Sequence, residues 1–250
     1  MTSFKHHGVK GQKWGVRNGP PYPIEDKILK KGTRLNSVSS KWYTTEKYRN
    51  QGRSIYTYRE DDKWDNKVYK GPFSEYLVWR GATYIAEHSF ETTKDLRMPT
   101  SKERKQAFYD MLEDKKTSKI VKKDLKDEIR HMKNHNVGSV EAQNLNVNNI
   151  KTDKDKAAAY EAFNHVLEEI YKHPSGKIYM DIMSKNYEAM VDDNNVNVYN
   201  EAHDPIIIFR GDLYLKSLTK NGRILTSNEI IKNIDDVSKE LAKKGKHYAL

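Results

Sequence analysis

The chain has 250 residues, 36% apolar and 32% charged, with a formal net charge of +10 and no cysteine. That length suffices for one large domain with its own core, and the missing cysteines exclude disulfides, thiolate metal sites and a cysteine nucleophile. The basic excess favours polyanionic partners; no run of about 18 apolar residues predicts a membrane-spanning helix, and the polar opening residues predict no secretory signal.

Residues 1–27 are predicted to form an extended basic arm. Glycines and prolines interrupt positions 1–23, where no period of 2 or 3.6 holds. Within it runs His7-Gly8-Val9-Lys10-Gly11-Gln12-Lys13-Trp14-Gly15-Val16-Arg17. Trp14 supplies an anchor, and Lys10, Lys13 and Arg17 supply charge for pairing, as a recognition peptide requires. A disordered basic arm is the plainer reading of the same composition. His6 and His7 are adjacent but lack carboxylate support, so no metal site is predicted. The segment resembles a short motif of phage and prophage proteins from Gram-positive hosts, where it lies beside head, portal-associated and virion-accessory domains. The resemblance implies a phage-encoded protein, in the virion or the host cytoplasm, docked through this tag to a virion or host protein.

Residues 28–250 are predicted to form one mixed α/β domain. Arg34–Val38 should be a strand after the Lys31-Gly32 turn, and Ser54–Arg59 alternates and is aromatic, as a strand should be. Asp61–Asn66 reads as a charged turn. Tyr76–Arg80 and Tyr84–Phe90 read as two strands joined around Gly81. Apolar residues from Phe108 to Met132 recur at spacings of three and four, which predicts a helix over about 102–133. Its Lys-rich part, 115–126, reads as a solvated face, because no aromatic residues interleave to stack bases; a nucleic-acid partner draws support from charge alone. Gly138–Asn149 reads as a loop. Thr152 or Asp153 caps a helix that His173-Pro174 should stop, and Ile178–Lys185 reads as a further short helix. Tyr187–Val191 is predicted to be a strand, closed by Asp192–Asn195. Ile206–Phe209 is the most apolar run and predicts a strand covered on both faces. Thr226 and Glu229 predict a capping box for a last helix ending near Lys244-Gly245.

Two body segments carry a second resemblance. Lys31-Gly32-Thr33-Arg34-Leu35-Asn36-Ser37-Val38-Ser39 resembles the opening strand of ADP-ribosyltransferase-like domains of phage polyproteins. Tyr187–Asp193 followed by Asp204–Phe209 is similar to their late strand pair. The resemblance spans about 31–230 and implies an α+β fold: two small packed β-sheets flanked by helices, with NAD held in a cleft as substrate. In that family a strand Arg or His, a Ser/Thr/Tyr cluster and a Glu do the work, the Glu because positive charge develops at the anomeric carbon. Carried onto this chain, the cofactor-binding candidates are Thr33, Arg34, Ser37, Tyr56, Thr57 and Tyr58, and the catalytic candidates are Glu87 and Glu75, with Glu91 as a further carboxylate. The pattern departs at Ser37, which stands where the strand arginine is expected.

The same residues have plainer readings. Tyr56 and Tyr58 share a strand face and suit cross-strand packing. Glu87 alternates with Ile85 and suits a solvent-facing position. Trp79-Arg80-Gly81 and Phe209-Arg210-Gly211 suit strand ends with a cation–π contact. Three functions stand at this point: an accessory protein that transfers ADP-ribose from NAD to a host macromolecule, a non-catalytic virion component, and a non-catalytic binder of nucleotides or host defence factors. The first requires Thr33–Val38 and Ile206–Phe209 to frame one crevice.

Overall fold

The computed structural model describes residues 24–25, 27–41, 44–168, 172–191 and 205–245. The tag residues Lys10, Lys13, Trp14 and Arg17 and the Asp192–Asn195 turn lie outside them. In chain order the elements are β1 (Ile24–Glu25), β2 (Ile28–Leu29), β3 (Arg34–Ser39), α1 (Thr45–Arg49), β4 (Ile55–Arg59), α2 (Lys63–Val68), a π turn (Tyr69–Phe73) and α3 (Ser74–Trp79). Then come β5 (Ile85–Thr92), β6 (Leu96–Arg97), α4 (Ser101–Glu113), α5 (Thr117–His135), α6 (Val140–Gln143), α7 (Asp153–Glu168) and α8 (Pro174–Asn186). β7 (Ala189–Val191), β8 (Ile206–Ile208), α9 (Gly211–Tyr214), β9 (Leu215–Ser217), β10 (Arg223–Leu225) and α10 (Ser227–Lys243) complete the described chain.

The fold is mixed α/β with two antiparallel sheets, as expected. The smaller has the order β1-β2-β6; the larger has β10-β5-β3-β4-β8-β7, with β9 pairing the far end of β5. β4 changes partner along its length. Ile55, Tyr56 and Thr57 pair with β8, whereas Tyr58 and Arg59 pair with β3. The large sheet is therefore two half-sheets that share one strand.

Alternation along the strands feeds three cores. Ile206 and Ile208 join Leu35, Ile55 and Phe90 in one. Ile207 and Phe209 face the other way, into a helical core of Phe108, Leu125, Phe163, Tyr179 and Met183. β8 is thus covered on both faces, as its apolar run predicts. A third core packs Val38, Tyr58 and Ile85 against Val68, Tyr69, Val237 and Leu241. Each fully buried side chain of this size stabilises the fold by about 1.5–3 kcal/mol. Among the described residues, no helix is long and apolar enough to cross a membrane.

Several expectations need correction. The 76–80 segment is helical: it belongs to α3, which continues α2 through the π turn. Phe73 and Leu77, four apart, pack onto the third core, and that packing overrides the strand preference of Tyr76, Val78 and Trp79. Pro72 sits inside the run, where the wider π turn accommodates its missing N–H. Asp62 turns the predicted charged turn into a helix start, since its Oδ1 accepts the N–H groups of Trp64 and Asp65 at 3.0 Å each. The single helix expected over 102–133 is two, α4 and α5. Asp114 accepts from the amides of Lys116 and Thr117 at 3.0 and 2.8 Å, which restarts the helix. The 138–149 loop contains α6, capped by Ser139. Pro174 opens α8 at its first position, the one helical site where a missing N–H costs nothing. Both predicted capping elements at Thr226 and Glu229 are present on α10.

Candidate functional site

Glu87 does not face solvent. It sits on β5 opposite Val38 and Arg223 and is nearly fully buried. Its Oε1 accepts from the Tyr58 hydroxyl at 2.8 Å and pairs with Lys70 Nζ at 2.7 Å. Its Oε2 accepts from Arg223 Nε and Nη2 at 3.1 and 2.8 Å. Burial alone would raise its pKa, but Lys70, Tyr58 and Arg223 outweigh burial and hold it below the usual carboxylate range. Burial, then the Glu87 charge, pushes the Tyr58 hydroxyl well above its ordinary value, so it stays a neutral donor. Arg223 Nη1 continues to Glu229, the capping residue of α10, at 2.6 Å. Both Glu87 oxygens are engaged, and the group clasps β4, β5, β10 and the π turn together. Glu75 lies on α3, on a helix and not on the sheet, and Glu91 pairs in register with Arg34 and Lys216.

The predicted cofactor-binding residues divide between the two faces of the sheet. Tyr56 and Tyr58 share a face with Glu87; Ser37 and Thr57 point to the other. Ser37 donates to the Tyr56 carbonyl at 2.7 Å and meets the Tyr48 hydroxyl at 2.9 Å. The Tyr48 ring stacks on His88 at 4.4 Å and 8°. The space beside Ser37 is therefore filled by an aromatic pair. His88 is fully buried between Ser39 and Thr45, each 3.3 Å from a ring nitrogen, and burial lowers its pKa to about 4 against the opposing pull of Glu87. Thr57 donates to the Ile206 carbonyl at 2.8 Å, Thr33 to the Lys30 carbonyl at 2.7 Å, and Arg34 pairs with Glu60 at 3.5 Å on the surface. β4 lies between β3 and β8, so Thr33–Val38 and Ile206–Phe209 are not neighbours.

An open crevice of about 590 Å³ lies instead where β4 and β8 meet α8. One wall is Gly52, Arg53, Ser54 and Tyr56, leading into β4, with Phe209 and Arg210 leaving β8. The other wall is Lys177, Met180, Asp181, Ser184 and Lys185. Those positions recur at three and four residues, so they form one stripe of α8, while Tyr179 and Met183 on its opposite side enter the helical core. The helix is held in place at its first turn. Asp124 of α5 accepts from the Ser175 amide at 2.8 Å and from its hydroxyl at 2.6 Å. His173 lies 3.9 Å from both Asp124 and Glu128.

Charge in the crevice is unbalanced. Arg53, Lys177, Lys185 and Arg210 face a single acid, Asp181. Lys185 pairs with Asp181 at 3.5 Å, and Arg210 pairs with Asp212. Arg53 and Lys177 have no ion-pair or hydrogen-bond partner among the described residues. Tyr56, Met180 and Phe209 give the crevice apolar surface. A cavity of this size, with apolar walls and a few placed charges, has the general character of a small-ligand site.

Of the six predicted cofactor-binding residues, Tyr56 alone lines this crevice. Arg53, Lys177 and Arg210 were not anticipated. The Phe209-Arg210-Gly211 reading is corrected: Arg210 bonds Asp212, not an aromatic ring. The similar Arg80 does lie over the Tyr76 ring at 5.8 Å, but at a helix end. The signals available in sequence were the Gly52-Arg53-Ser54 turn and the 177-180-181-184 stripe. Comparisons with protein-family models, curated proteins and solved structures find no match for this chain.

Proposed function

We propose that this protein binds a small phosphate-bearing ligand of the nucleotide class in the crevice between α8 and the β4–β8 pair, without turnover. The observation that carries this reading is that Arg53 and Lys177, one on each wall of the crevice that Tyr56 also lines, have no ion-pair or hydrogen-bond partner among the described residues. Unbalanced cations in a concave, partly apolar site focus positive potential and attract an anion. A flat ring that lies on Tyr56 and Met180 gains apolar contact at the same time. Phosphate meets the first need and a nucleobase the second. Lysine acylation footprinting tests it: ADP should protect Lys177 while leaving lysines outside the crevice, such as Lys126, equally reactive. Equal labelling of Lys177 with and without ADP would reject the reading.

A second reading, transfer of ADP-ribose from NAD, loses the crevice between Thr33–Val38 and Ile206–Phe209 that it requires, because β4 separates them; what supports it is the 2.8 Å contact of Glu87 on β5 with the Tyr58 hydroxyl on β4, across β3. It requires Lys70 and Arg223 to release that carboxylate. Incubation with labelled NAD tests it, with Glu87→Gln as the comparison; transfer abolished by the substitution would favour it over simple binding. The amino-terminal segment adds a proposed setting, a phage or prophage protein docked by residues 7–17, which rests on the sequence resemblance.

A further inference from the structure

Two of the crevice cations are paired in different ways. Lys185 makes one 3.5 Å contact with Asp181, and both side chains are about three-quarters exposed, at 74% and 73%. Such a surface pair is worth little. Arg210 instead presents two donors of one guanidinium edge to one carboxylate: Nε to Asp212 Oδ1 at 2.9 Å and Nη2 to Asp212 Oδ2 at 2.5 Å. That two-point fork is the geometry with which arginine takes phosphate. Asp212 is the more sheltered partner, 24% exposed against 47% for Arg210. The intervening backbone is held closely. A Cβ on Gly211 would lie 2.3 Å from Ile55 Cδ1 and 3.1 Å from the Arg49 carbonyl oxygen, so any larger residue would force the Ile55 side chain and α1 to shift where the chain returns Asp212 to Arg210.

The crevice therefore has two kinds of anion position. At Arg53 and Lys177 the charge is ready; at Arg210 it is already satisfied by a carboxylate. We infer that Asp212 stands in for a second anionic group of the ligand, and that the ligand carries two linked phosphates. One phosphate meets Arg53 and Lys177, and the other takes Arg210 from Asp212. This rests on the reading of the crevice as a phosphate-binding site and adds what that site selects. Asp212 acts as a filter: a single phosphate gains nothing from Arg210, because the carboxylate already holds it. A diphosphate displaces the carboxylate, which is 24% exposed where it stands.

Calorimetric titration of the full chain with AMP and with ADP tests this, using Asp212→Asn, Asp212→Ser and Arg210→Gln. Thermal melting of each variant confirms that the fold is intact. ADP should bind the wild type more tightly than AMP. Both Asp212 substitutions should tighten ADP about tenfold, the scale expected when a charged competitor at hydrogen-bond distance is neutralised, and should change AMP by less than about twofold on the same scale. Arg210→Gln should bring ADP to the AMP level. Equal wild-type affinities for AMP and ADP, with both shifted alike or not at all by the Asp212 variants, would overturn the inference and leave the phosphate site standing. No binding of either nucleotide would overturn the phosphate site itself.

Discussion

Glu87 on β5 accepts a 2.8 Å hydrogen bond from the Tyr58 hydroxyl on β4, while Lys70 and Arg223 neutralise the same carboxylate. The residue most suited by position to be a catalytic acid is thus the centre of a clasp. Glu87→Gln leaves Lys70, 21% exposed, and a half-exposed Arg223 without their shared anion. Breaking a buried pair costs roughly 3–5 kcal/mol; with Arg223 partly in solvent, about 2–3 kcal/mol is expected. Urea unfolding measures it, and affinity of the crevice for ADP should not change. A loss below about 0.5 kcal/mol, the scale of an ordinary surface substitution, would contradict the clasp.

His88 sets an acid limit on stability. Its pKa in the fold, about 4, lies below the 6.5 of a free histidine. Between those values the unfolded chain binds the extra proton, so stability rises with pH across the window and is lost as pH falls through it. Glu87, held below its usual range, adds a further loss at lower pH. The melting temperature should drop from pH 7 to pH 5, and His88→Gln should flatten that drop. An identical pH profile in the variant would show that another group is responsible.

Gly71 marks the closest approach of the π turn to α10. A Cβ there would meet the Asn233 carbonyl carbon and the Ile234 nitrogen at 2.8 Å, both backbone atoms that cannot turn aside. Gly71→Ala should destabilise by about 1–3 kcal/mol through overpacking. A neutral result in thermal or urea unfolding would mean that α10 is free to shift.

The proposed docking role of residues 7–17 has its own test. If the proposed phage setting holds, deleting residues 1–23 removes association with virions, as co-sedimentation would measure. Unchanged association would reject the docking role of Trp14 and its flanking cations.

What the sequence revealed follows from the range of each interaction. The capping box at Thr226 and Glu229 is local and legible, and so is β8, whose covering on both faces shows as Ile206-Ile207-Ile208. α3 is not legible locally, because its helical period depends on Phe73 and Leu77, while Tyr76, Val78 and Trp79 favour strands in isolation. Glu87 stood out as a carboxylate, yet its partner Arg223 is 136 residues away, so its neutralisation had no local signature. The crevice was hidden for the same reason. Arg53, Lys177 and Arg210 share no motif and meet because β4 pairs with β8 and Asp124 fixes the start of α8.

The phosphate site stands or falls with Arg53 and Lys177, the two cations of the crevice without partners among the described residues. Titration of ADP into the wild type and into the Arg53→Gln, Lys177→Gln double variant tests it most directly. Saturable binding to the wild type, weakened at least about thirtyfold in a double variant that melts normally, is the predicted result. Equal affinity in the two proteins, or no heat from either, would contradict it.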